Sequence, residues 1–118
     1  MTLDEFFAGR DDSRALFDAL RAHIDSLGPS EMRVTKSQVA WRTRRAFAWA
    51  WLPTMYLGER GAPLVMSVAL RRRDPSPRWK QVVEPSEGWF MHHLEVRSEA
   101  DFDDEVRAWL AEAREAST

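Results

Sequence analysis

Cysteine is absent from this chain, which removes disulfides, thiol chemistry and cysteine-ligated zinc or iron–sulfur centres together. Asparagine is also absent, isoleucine occurs once (Ile24), and lysine occurs twice against fifteen arginines. So lopsided a use of arginine reflects a GC-rich coding sequence, and arginine abundance alone is weak evidence for phosphate binding. No apolar run approaches the ~20 residues of a membrane helix, so no membrane span is expected. The start, Met1 to Phe6, is acidic where a signal peptide would be basic and then apolar. A soluble, cytoplasmic protein is the expectation. At 118 residues a single domain spanning 1–118 can bury a core without metal or disulfide support.

The net charge of −2 conceals three zones. Residues 1–31 sum to −4, residues 32–80 to +9 and residues 81–118 to −7. A basic centre between acidic ends is either an anion-recognition surface or an internal match between acidic helices and a basic sheet. Because the zones nearly cancel, the internal match is preferred.

The densest stretch is Thr35 to Pro53, which holds three of the six tryptophans. Within it Phe47, Trp49 and Trp51 alternate with Ala46, Ala48 and Ala50. Period-two alternation predicts a strand from Ala46 to Leu52, with the aromatics on one face and the alanines on the other. Around it, a helix capped by Asp12 or Ser13 is expected to run to Leu27, on the spacing of Leu16, Phe17, Leu20, Ile24 and Leu27. Arg33–Lys36 and Gln38–Arg42 read as extended, with a turn at Thr43–Arg45. Gly58–Gly61 reads as a hairpin loop leading into a strand over Pro63–Arg71, in which Leu64, Met66, Val68 and Leu70 share a face. The alanines and Ser67 and Ala69 together are read as one small-residue face. Asp74–Pro77 is a turn. Trp79–Glu84 is open between a strand and a helical turn, and Trp89–Val96 is a strand. Ser98–Asp101 resembles a capping box, followed by a helix with the stripe Phe102, Val106, Trp109, Leu110 and Ala113. The expected fold is α+β: a two-layer sandwich with a mainly antiparallel sheet of about four to five strands, flanked by N-terminal and C-terminal helices.

Candidate chemistry is sparse. His92 and His93 are strand neighbours and point to opposite faces, so they cannot chelate one metal. No metal-ligand spacing, serine-hydrolase elbow or phosphate-cradling glycine loop appears. Glu99, Asp101, Asp103, Asp104 and Glu105 are read as helix-capping charge, not as a cation site. No catalytic residue, metal or cofactor is therefore assigned, and an enzyme ranks third among the readings.

Several segments resemble those of a bacterial family described as domain of unknown function 5655. They are the stretch from Val34 to Pro53, Ser76–Lys80, Val83–Pro85, Phe90–Leu94 and Asp104–Leu110. The resemblance covers nearly the whole chain. It implies a small α+β fold with a strand-rich centre and a closing helix, and brings no activity or catalytic residues with it.

The first functional expectation is a binding or interaction domain using a Trp-lined sheet face or groove. Its candidate residues are Lys36, Trp41, Arg45, Trp49, Trp51, Arg72, Trp79, Trp89 and His92. The occupant would be a small, partly anionic ligand or a second copy in a homodimer. The second is a single-stranded nucleic-acid-binding module that uses the same arginines and tryptophans.

Overall fold

A computed structural model describes residues 1–53 and 61–118. Six strands form one antiparallel sheet: β1 (Glu31–Val34), β2 (Val39–Arg42), β3 (Ala46–Trp51), β4 (Leu64–Leu70), β5 (Gln81–Ser86) and β6 (Trp89–Val96). Their spatial order is β1-β2-β3-β4-β6-β5. A one-turn helix α1 (Leu3–Phe6) and α2 (Asp11–Ser26) precede the sheet, and α3 (Asp104–Ser117) closes the chain. The α+β sandwich is as expected, with one or two strands more. The segment around Trp79–Glu84 resolves into strand β5, which starts after Trp79, at Gln81. Of the expected hairpin loop Gly58–Gly61, all but Gly61 lies outside the described residues.

Cross-strand partners point to the same side of a sheet, so the register sorts the side chains. One face carries Val39, Trp41, Ala48, Ala50, Met66, Val68, His92 and Leu94. The other carries Trp49, Trp51, Val65, Ser67, Ala69, Met91 and His93. The first face is covered by helices. Phe17, Leu20 and Ile24 of α2 and Val106, Trp109, Leu110 and Ala113 of α3 join it in one buried core. Phe17 stacks on Trp41 at 5.6 Å between ring centres.

Two expectations about faces fail, each on a point of strand register. The register slips between β2 and β3: Trp41 pairs with Ala48 and Arg42 with Ala46, so Phe47 is an extra, unpaired residue. Such a bulge places two successive side chains on the same side. Phe47 therefore enters the core with Ala48 and is fully buried, instead of joining Trp49 and Trp51. The supposed small-residue face also divides. Ala48 and Ala50 lie under the helices, whereas Ser67 pairs with Trp49 on the opposite side.

The helix caps shift as well. The N-cap of α2 is Arg10, and Ser13 donates its hydroxyl to the Pro63 carbonyl at 2.6 Å, tying α2 to the start of β4. Asp101 accepts from the Ser98 N–H at 3.2 Å, but that box opens a short 3₁₀ turn. The cap of α3 is Asp103, which accepts from the Val106 N–H at 3.1 Å.

Candidate functional site

No described helix lies on the face that carries Trp49 and Trp51. Its floor is nonetheless dry: Val65, Ser67 and Ala69 of the central strand β4 are buried, although their side chains are short. The cover comes from taller neighbours on β3 and β6. Trp49 and Trp51 on one side, with Met91 and His93 on the other, stand half-buried above that floor. Between them a cavity of ≈ 340 Å³ is lined by Ser37, Gln38, Trp49, Trp51, Ser67, Met91 and His93. That volume lies in the range of small-molecule sites.

The polar groups of this cavity converge on Ser67. Its Oγ accepts from the Trp51 Nε1–H at 3.3 Å and shares a proton with His93 Nδ1 at 2.6 Å. An indole can only donate, so Trp51 fixes one lone pair of Ser67. Burial, and secondarily the charges of His92 and Lys80, lower the pKa of His93, which keeps its imidazole neutral. The pairing of β4 on both edges engages the backbone N–H groups around Ser67. Among the described residues no oxyanion donor pair stands beside it, so the arrangement suits hydrogen bonding to a ligand better than nucleophilic attack.

A second cavity of ≈ 260 Å³ adjoins the first and shares Trp49 and Met91 with it. Its other walls include Arg45, Ala69, Ser86 and Trp89. Two guanidinium groups lie over the Trp89 ring, Arg45 at 3.6 Å and Arg71 at 4.4 Å from its centre. Gly88, in the tight β5–β6 turn, has φ +76, which favours glycine. It rests against Arg71, since a Cβ there would lie 3.3 Å from Nη2.

The nine residues singled out from sequence therefore divide between two faces. Trp49, Trp51, Trp89 and Arg45 border the groove, and Lys36 is exposed in the β1–β2 turn beside the lining residue Ser37. Trp41, Trp79, His92 and Arg72 belong to the helix side, away from it. There Trp41 stacks on Phe17, and Asp74 gathers the other three: its carboxylate accepts from Trp79 Nε1 at 2.9 Å, from Trp109 Nε1 at 3.3 Å and from Arg72 at 2.9 Å. Burial opposes ionisation of Asp74, but the hydrogen bonds from Trp79, Ser76, Arg72 and Trp109 outweigh it and lower its pKa. The Asp74 N–H in turn donates to His92 Nε2 at 2.9 Å. His92 Nδ1 then donates to the Phe90 carbonyl at 3.0 Å, which fixes one neutral tautomer in a fully buried position. Arg72 grips Glu112 of α3 with two bonds of 2.8 and 2.9 Å, which raise its pKa.

Sequence reasoning missed His93, Ser67 and Met91, and from the arginine run 71–73 it took Arg72 in place of Arg71. Strand alternation from Trp89 would have found Met91 and His93. The same alternation beyond Ala69 would have separated Arg71 from Arg72. Among the described residues no group of three or more His, Asp or Glu side chains is placed to hold a metal ion. No described helix is long and apolar enough to cross a membrane.

The model of the family described as Domain of unknown function (DUF5655) matches residues 3–117, and the chain belongs to that family. No curated protein and no solved structure matches it.

Proposed function

We propose that this member of the DUF5655 family is a binding domain whose site is the groove of the sheet face opposite α2 and α3, and that it takes a small, partly anionic ligand. The observation that carries this reading is the cavity of ≈ 340 Å³ between Trp49, Trp51, Met91 and His93. Two half-exposed indoles above a dry floor offer flat apolar area at little entropic cost, and the Ser67–His93–Trp51 cluster offers a small number of fixed polar contacts. A soluble, cytoplasmic setting fits such a role.

The distribution of charge favours a small ligand over a long polyanion. Part of the basic excess of residues 32–80 is matched internally. Arg72 pairs with Asp74 and Glu112, Arg78 with Asp103 and Glu105, and Lys80 with Glu95. What is left on the groove face is local.

The test is titration with a neutral ring compound, 1-naphthol, followed by tryptophan fluorescence, alongside light scattering. A monomer that binds 1-naphthol saturably, with affinity weakened about tenfold or more in Trp49→Ala, supports the reading. A dimer dispersed by Trp49→Ala would assign the face to a second copy instead. A monomer indifferent both to 1-naphthol and to its anionic analogues 1-naphthyl phosphate and 1-naphthoate would overturn the reading.

A further inference from the structure

We propose that the Trp89 end of the groove is an oxyanion site, so that the ligand carries a flat ring at one end and a phosphate or carboxylate at the other. The proposal rests on the groove reading and adds the chemical class of the occupant.

The argument starts from two like charges on one ring. Arg45 and Arg71 both lie over Trp89, from different strands' ends, at 3.6 and 4.4 Å from its centre. Each gains from the π face, but two cations drawn to one ring still repel one another. Arg72 and Arg78, by contrast, are each answered by two carboxylates. Neither the Arg45 nor the Arg71 guanidinium has a carboxylate or hydrogen-bond partner among the described residues. An oxyanion held between the two guanidinium groups would turn the repulsion into attraction.

Geometry supports the same assignment. A guanidinium stacked on an indole keeps its N–H groups in its own plane, directed away from the ring and ready for bidentate contact with an oxyanion. Arg45 is itself a wall of the ≈ 260 Å³ cavity, together with Ser86 and Trp89. His93, Met91 and Trp89 succeed one another along a single face of β6. At about 3.3–3.4 Å per residue, the hydrogen-bonding end at His93 and the cationic end at Trp89 are ~13 Å apart. Apolar Trp49 and Met91 line both cavities between those ends. A ring with an anionic head matches this order of apolar and charged surface.

The experiment compares 1-naphthyl phosphate, 1-naphthoate and 1-naphthol, with inorganic phosphate and a ten-residue oligothymidylate as further probes. Expected is a preference of about tenfold or more for at least one anionic naphthyl probe over 1-naphthol. The stronger of the two identifies phosphate or carboxylate as the head group. That preference should collapse toward unity in Arg45→Gln and in Arg71→Gln, both surface changes. Inorganic phosphate alone should shift the Trp89 indole N–H resonance, and neither variant should show the shift. Binding of 1-naphthol without any anionic preference overturns the oxyanion site while leaving the groove reading intact. Failure of every naphthyl probe, with the phosphate shift present, overturns the groove reading and leaves the arginine pair as an anion site. Oligothymidylate binding tighter than naphthyl phosphate, with affinity falling steeply as salt rises, overturns the small-molecule assignment in favour of nucleic acid.

Discussion

The six tryptophans split evenly between the two sides of the sheet, and the two sets are built differently. Trp41, Trp79 and Trp109 are 1%, 8% and 4% exposed. Trp79 and Trp109 are tilted together at 4.1 Å and share the Asp74 carboxylate, and Trp41 stacks on Phe17. Trp49, Trp51 and Trp89 are only half-buried, and their neighbours are arginine, histidine and methionine. One residue type thus fills the core on one face and stands half-exposed on the other, where binding is proposed. What separates the sets is the helical layer, which α2 and α3 lay on one side only.

The largest expected effect is on the helix side. Trp41→Ala should cost ~3–5 kcal/mol by chemical denaturation, because it opens a cavity in the core. Trp49→Ala should cost only about 1 kcal/mol, since its site can rehydrate. Equal losses would break the comparison. Next comes Asp74→Ala, at about 2–3 kcal/mol, because it strands two buried indole N–H groups and frees Arg72.

A pH effect sharpens the contrast further. Burial lowers the pKa of His92 below its ordinary 6.5. A lowered pKa on a base means that the unfolded chain binds the proton more readily than the folded one. Stability is therefore full above pH 6.5 and declines as pH falls from there through the folded-state value. His93 is shifted the same way and adds to the decline. Denaturation midpoints at pH 7.5 and 5 should fall more in the parent protein than in His92→Gln, where the chargeable ring is gone. Parallel falls would contradict the role given to His92. The smallest stability effects belong to Arg45→Gln and Arg71→Gln, whose exposed side chains should leave the unfolding free energy within about 0.5 kcal/mol.

Much of the fold was legible because its signals are local. The stripe Phe102, Val106, Trp109, Leu110 and Ala113 announces α3, and Trp89–Val96 matches β6 residue for residue. The site was legible only in part. Alternation through Ala46–Trp51 holds for Trp49 and Trp51 but breaks at Phe47, because a bulge depends on the register of the partner strand. Asp74 reads locally as a turn former. Its hold on Trp79, Trp109 and Arg72 spans up to 35 residues and has no local trace. The run Arg71–Arg73 looks like one basic patch, yet the strand twist of alternating sides sends Arg71 to Trp89 and Arg72 to Glu112. Which face the helices cover is likewise a long-range outcome.

The most direct test of the two-sided account follows all six indole N–H resonances during titration with 1-naphthyl phosphate. Saturable shifts of Trp49, Trp51 and Trp89, with Trp41, Trp79 and Trp109 unmoved, are the predicted result. Shifts spread over both sets, or confined to the helix side, would contradict it.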